Sequence, residues 1–240
     1  MSKAPFKFKQ FTIEQDRCAM KIGTDGVLIG AWSSLDHYPE SILDIGTGTG
    51  LIALMMAQRS DASLIDALEI EENAYEQAVE NFENSDWGDR LFCYHAGFDE
   101  FVDEMQDEEK YDLIISNPPF YSEDYKSGES NRDRARFADA LPLPELIEGA
   151  SLLLSKNGHF DMILPFSEEE KALKVGENFG LFPRKITRVK GTEDSPIKRS
   201  LISFEFKNIA PDIDELVLEI SRHNYTPEFK ELVKDFYLKL

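Results

Sequence analysis

Asn117-Pro118-Pro119-Phe120 closes an apolar run, Tyr111-Asp112-Leu113-Ile114-Ile115, downstream of a glycine-rich turn at Gly46-Thr47-Gly48-Thr49-Gly50. Two consecutive prolines end a strand, because neither can donate to a sheet ladder. That accounts for Pro118 and Pro119 but not for the amide and aromatics around them. The amine nitrogen of adenine is a poor nucleophile, since its lone pair is delocalised into the ring. An asparagine oxygen and the Pro118 carbonyl can accept its two N–H bonds and turn the lone pair out of plane, while Phe120 or Tyr121 stacks on the ring. Chemistry of this kind runs on proximity and electrostatic preorganisation rather than on a general acid. A base inside folded RNA must be unstacked to reach such a pocket.

Ser41-Ile42-Leu43-Asp44-Ile45 runs into the glycines and a helix follows from Leu51, so the turn is the first strand-to-helix junction of a doubly wound sheet, where ligands bind at the carboxyl edge. Gly46, Gly48 and Gly50 let the backbone bend sharply and approach a ligand. The spacing is GxGxG rather than the GxGxxG of dinucleotide binders, and Asp44 stands two residues ahead of the first glycine. A dinucleotide needs its pyrophosphate on the helix N-terminus; S-adenosylmethionine has no phosphate and presents a cationic amino group for Asp44 to bind. The turn therefore favours the sulfonium cofactor over another Rossmann ligand. Glu69, at the end of the second strand, is placed to accept hydrogen bonds from ribose hydroxyls. After the third strand, the adenine contact falls to Gly97 with Phe98 and Asp99 beside it, and these residues do not by themselves fix which one serves.

These residues need a frame. Short β-branched runs alternate with helical stretches from Ser41 onward, the signature of a parallel sheet wrapped by helices on both faces. Seven strands are expected: Ser41 to Ile45, Leu64 to Glu69, Leu91 to His95, Tyr111 to Ile115, His159 to Leu164, Ile186 to Lys190 and Leu201 to Phe206. Helices are expected at Leu51 to Ser60, Glu72 to Ser85, Leu143 to Ser155 and Ser167 to Asn178, the last with Ser167 as its N-cap. Gly191 to Arg199 leaves no room for a crossover helix, so the last two strands pair antiparallel. Residues 1–40 read as an extension capping the cofactor site, either a strand packed on the core or a lid, and residues 41–240 as one catalytic domain. Leu216 to Ile220 is strand-like, and Phe229, Leu232, Val233 and Phe236 share one face of a terminal helix.

The chain has 240 residues, 42% of them hydrophobic, enough for a continuous core. No apolar run is long enough to span a membrane and no leader-like segment opens the chain, which points to the cytoplasm. Two distant cysteines and four histidines without ligand spacing give no metal site. The net charge of −20 opposes a nucleic-acid partner, but residues 61–112 alone hold eighteen acids against two bases. Two stretches are locally basic. One carries Lys126, Arg132, Arg134 and Arg136; the other, Arg184 to Lys207, has seven bases against three acids. Each is either a solvated face or an RNA footprint.

Asp44-x-Gly46-Thr47-Gly48-Thr49-Gly50 with Asn117-Pro118-Pro119-Phe120 resembles the class I S-adenosylmethionine-dependent methyltransferases, Rossmann-like enzymes that modify exocyclic or amide nitrogens. Phe8-Lys9-Gln10-Phe11, Cys18-Ala19-Met20-Lys21 with Gly23-Thr24-Asp25-Gly26, Arg132-x-x-Ala135-Arg136, Asn224-Tyr225-Thr226-Pro227 and Asp235-Phe236-Tyr237-Leu238 are similar to the bacterial tRNA1(Val) adenine-37 N6-methyltransferases. This resemblance spans the whole chain. It implies N6-methylation of an adenosine beside the anticodon of a valine tRNA, with Thr24 and Asp25 near the cofactor and the basic loop from Tyr121 onward on RNA; a monomer is expected separately from the resemblance. Phe137 follows Ala135-Arg136 where the family pattern has histidine.

The rival acceptor is a glutamine amide in a release factor or ribosomal protein, which the net acidity suits. Too few residues precede the core to form a separate helical substrate domain. Adenine in ribosomal RNA or DNA stays open on sequence alone. A catalytically silent RNA-binding module that kept the fold is disfavoured by the intact set Asp44, Glu69, Asn117 and Phe120.

Overall fold

A computed structural model of the chain describes residues 4–119 and 141–239. Its centre is one eight-stranded sheet. In chain order, β3 (Ser41–Ile45), β4 (Leu64–Glu69), β5 (Leu91–His95), β6 (Tyr111–Ser116), β7 (Leu154–Pro165), β8 (Phe182–Lys190), β9 (Ile197–Glu205) and β10 (Asp212–Val217) lie in the spatial order β10-β8-β9-β7-β6-β3-β4-β5. All neighbours are parallel except β9, which runs antiparallel to both β7 and β8. The expected antiparallel pairing of the last two strands is thus present. The expected count of seven becomes eight, because β10 adds parallel to β8 from Asp212↔Lys185 to Val217↔Lys190. A strand-like segment at Leu216 to Ile220 is replaced by β10 and a separate short strand, β11 (Glu219–Ser221), which pairs with β12 (Asn224–Tyr225).

Helices cover both faces. On one lie α1 (Thr24–Trp32), α2 (Leu51–Arg59), α3 (Glu72–Glu83) and the terminal α7 (Pro227–Val233); on the other, α4 (Phe98–Met105), α5 (Leu143–Leu153) and α6 (Glu169–Asn178). The central strands have two buried faces, as βαβ topology demands. Along β3, Ile42 belongs to the first core, while Leu43 and Ile45 belong to the second. Ser167 does not cap α6. Pro165 ends β7 and a 3-10 turn begins at once, Phe166–Glu168, which turns Glu169 inward to Arg188 and Ser200.

The N-terminal segment pairs β1 (Phe6–Lys7) with β2 (Thr12–Ile13). Phe8, Phe11 and Ile13 are buried in the first core, and α1 packs along α2. Among the described residues no helix is long and apolar enough to cross a membrane.

Candidate active site

The carboxyl edge of the sheet gathers the chemistry. Ile45 pairs with Ser116 on one side and with Leu68 on the other, so Gly46, Asn117 and Glu69 leave three adjacent strands at one level. The Ser116 hydroxyl donates to the Ile45 carbonyl at 3.0 Å and fixes the two strand ends together.

The glycine turn folds back over β4. The amides of Gly46 and Thr47 both donate to the Leu68 carbonyl, at 3.0 and 2.9 Å, and the Gly48 amide donates to Glu69 Oε2 at 2.8 Å. Glu69 Oε1 accepts from the Glu71 amide at 2.9 Å. Glu69 therefore braces the turn while keeping acceptor capacity on each oxygen. Gly48 has φ of +58° and a Cβ there would meet nothing within 4 Å. Bare backbone faces open space at that point, which is what a closely approached ligand needs. At Gly50, φ is +81° and a Cβ would lie 2.5 Å from the Phe82 ring, so close packing also requires glycine there.

Asp44 is wholly buried under the turn. Its Oδ2 accepts from the Thr47 hydroxyl at 2.5 Å and from the Ala53 amide, in the first turn of α2, at 3.2 Å. Its Oδ1 has no hydrogen-bond partner. Burial pushes this carboxyl up to about 7, against the Thr47 and Ala53 hydrogen bonds, with the Glu69 charge adding to the rise. A buried acid with a free oxygen under a glycine turn is a site where a cation is favoured. The residues present thus fit the amino group of S-adenosylmethionine at the turn and its ribose at Glu69.

Asn117 is half-buried and Pro118 buried at the end of β6. The first turn of α1 lies against this amide, since a Cβ on Gly26 would be 3.8 Å from Asn117 Nδ2 and 3.0 Å from Leu51 Cδ2. Thr24, the first residue of α1, is exposed, and Asp25 Oδ2 accepts from Arg199 Nε at 2.8 Å. Phe98 is not brought in by its ring, which packs in the second core near Gly149, where a Cβ would meet it at 2.5 Å. Phe120, Tyr121, Lys126, Arg132, Arg134 and Arg136 lie outside the described residues. The other basic stretch is largely neutralised internally. Lys185 pairs with Asp214, Arg188 with Glu169, Lys190 with Glu215, Arg199 with Asp25 and Lys207 with Glu205.

Residues that sequence reasoning passed over also build the site. Glu71 caps α3 by accepting from the amides of Asn73 and Ala74, and Gln77 and Asn81 on α3 hold residues 14–17 across the turn. A cavity of about 620 Å³ at the far ends of α1 and α2, lined by Trp32, Ser33, Arg59, Lys185 and Asp235, includes none of the turn residues.

The methyltransferase small domain profile matches residues 27–167. A tRNA1(Val) (adenine(37)-N6)-methyltransferase of Christiangramia forsetii is 80% identical over 240 residues, covering all of both chains. The chain belongs to the tRNA1(Val) (adenine(37)-N6)-methyltransferase family. The homologous methyltransferase of Flavobacterium johnsoniae is 61% identical over 98% of this chain and 100% of its own. Among solved structures, a predicted O-methyltransferase from Agrobacterium tumefaciens superposes with a TM-score of 0.67 at 19% identity, over 88% of this methyltransferase and 96% of that chain. The ribosomal protein L11 methylase of Lactobacillus delbrueckii subsp. bulgaricus gives 0.59 at 14% identity, over 82% and 84% of the two chains. These structural likenesses are of fold alone.

Proposed function

We propose that the protein transfers a methyl group from S-adenosylmethionine to the N6 amine of adenosine 37 in tRNA1(Val), working as a cytoplasmic monomer whose residues 1–40 cap the cofactor site of the remaining domain. The observation that carries this reading is the juxtaposition of Asn117 with the glycine turn across the β3–β6 register. The names of the 80% and 61% identical relatives support the acceptor.

In this reading Gly46, Gly48, Asp44 and Glu69 hold the cofactor, which supplies an electrophilic methyl carbon and a neutral thioether leaving group. Asn117 Oδ1 and the Pro118 carbonyl accept the two N–H bonds of the acceptor amine, so the nitrogen lone pair is directed out of the ring plane. Phe120 stacks on the base. As positive charge develops on nitrogen its N–H groups become stronger donors to both carbonyls, which places their effect in the transition state rather than the ground state, and the methylated nitrogen then loses one proton to solvent to return to neutrality. Thr24 and Asp25, the latter paired with Arg199, open α1, whose first turn meets Asn117 at Gly26. Tyr121, Lys126, Arg132, Arg134 and Arg136 follow the catalytic motif in sequence and supply the RNA contact.

The test is methyl transfer from labelled S-adenosylmethionine to unmodified tRNA, with release factor and duplex DNA in parallel, followed by nucleoside mass spectrometry. N6-methyladenosine in tRNA alone is the expected result. Label in protein would move the acceptor to glutamine.

A further inference from the structure

Helix α3 presents two buried amides to the N-terminal segment, Gln77 and Asn81, one turn apart on the same face. Gln77 Oε1 accepts from the Arg17 amide at 3.1 Å. Asn81 does more. Its Oδ1 accepts from the Glu14 amide at 2.9 Å, and its Nδ2 donates to the Glu14 carbonyl at 2.9 Å and to the Thr49 carbonyl at 2.8 Å. Thr49 belongs to the glycine turn, immediately before Gly50, the N-cap of α2. One side chain, 2% exposed, therefore ties the turn to a segment far from it in sequence. Phe82, the next residue, fills the space over Gly50.

The strap so held continues into a closed loop. Gln15, itself buried, donates to the Ala4 carbonyl at 3.0 Å and accepts from the Ile22 amide at 3.1 Å, which closes residues 15–22 into a loop. Lys21 Nζ donates to the carbonyls of Gln15 and Cys18 inside that loop. Burial holds the Cys18 thiol up at about 12, with the charges of Glu69 and Glu71 adding to the rise, so the loop lies alongside both carboxylates.

We infer that Asn81 is a positioning residue for the cofactor turn, acting through the Thr49 carbonyl and the Glu14 backbone rather than by touching cofactor or acceptor. The inference rests on the reading that the glycine turn holds S-adenosylmethionine. Removing the Asn81 amide donors takes a hydrogen bond from the buried Thr49 carbonyl and from the half-buried Glu14 carbonyl, and releases strap and turn from each other. Asn81→Asp keeps the size and the acceptor for Glu14 but sets a carboxylate against the two carbonyls. Gln77→Ala frees the strap at Arg17 and leaves the Thr49 bond in place.

The experiment measures S-adenosylhomocysteine binding by calorimetry, amide exchange over residues 14–17 and 46–50, and steady-state kinetics on tRNA. With Asn81→Asp, the product Kd and the cofactor KM are expected to rise about tenfold or more, kcat at saturating cofactor to stay within about twofold, and both segments to exchange faster. With Gln77→Ala, faster exchange is confined to the strap and the Kd rises less. Binding within about twofold of the unaltered protein in Asn81→Asp, or a loss confined to kcat, overturns the inference. Failure of the unaltered protein to bind S-adenosylhomocysteine overturns the cofactor reading instead. Should Asn81→Asp fail to fold, Asn81→Ala carries the same comparison without the added charge.

Discussion

Asp44, if it holds the cofactor as proposed, is expected to make binding depend on pH in a window where few side chains titrate. Burial raises its carboxyl from 3.8 to about 7, so in the ligand-free protein it is mostly protonated at pH 6 and mostly ionised at pH 8. A cationic amino group at the turn favours the carboxylate, so below pH 7 binding must expel a proton. Each pH unit below 7 then weakens binding about tenfold, or about 1.4 kcal/mol, and above 7 the dependence disappears. Calorimetry with S-adenosylhomocysteine from pH 5.5 to 8.5, in buffers of different ionisation enthalpy, reads both the slope and the proton released. Asp44→Asn should bind weakly with a flat profile. Ligand-free stability moves the other way. A carboxyl raised in the folded state contributes stability that is present below the unfolded value and is lost as pH rises through 7. Asp44→Asn should therefore melt higher than the unaltered protein at pH 8, by up to about 4 kcal/mol of unfolding free energy if the whole gap of about three units is recovered. A pH-independent Kd in the unaltered protein would refute the reasoning, as would Asp44→Asn melting lower at pH 8.

Three further outcomes are expected. Asn117→Ala should lower kcat about 100-fold to 1000-fold while cofactor Kd changes less than about threefold, by analogy with loss of one transition-state acceptor; equal losses in both would remove the division of roles. Gly50→Ala combines a left-handed backbone at φ +81° with a Cβ 2.5 Å from Phe82, and should cost about 3 kcal/mol, seen as a melting temperature lower by about 10 °C. Charge reversal at Arg134 and Arg136 should weaken tRNA binding and flatten its salt dependence, with cofactor affinity unchanged; unaltered RNA binding would return that loop to a solvated face.

Much of the frame was legible because its strands announce themselves. Ser41 to Ile45, Leu64 to Glu69 and Leu91 to His95 are short apolar runs bounded by turn residues, and they begin and end where expected. Helix α1 was not legible, because Gly26 to Ala31 are buried throughout and show no polar stripe to mark a period. Helix α4 is short and merged with the acidic stretch around it. Strand β10 alternates acids with apolar residues and joins the sheet at its edge, where propensity says little about pairing. In the site, the glycine turn, Asp44, Glu69 and Asn117 were readable as residue types at fixed spacing. Gln77 and Asn81 were not, since polar residues on a helix read as solvated until the strap that buries them is known.

The strap's footing has a consequence for how the protein is made. Phe8 pairs with Tyr237, the Lys9 amide donates to the Phe236 carbonyl at 2.9 Å, and Lys9 Nζ donates to the Lys234 carbonyl across 225 positions of sequence. On a ribosome, Phe8 and Lys9 have to wait for residues 234–237 before these bonds can form, whereas residues 14–17 can dock as soon as α3 has been made. Contacts of such long range also form late in refolding, because the loop they close is nearly the whole chain. The hold of α3 on residues 14–17 and on the glycine turn can therefore be made early in synthesis, while residues 6–9 are fixed only when residues 234–237 have followed.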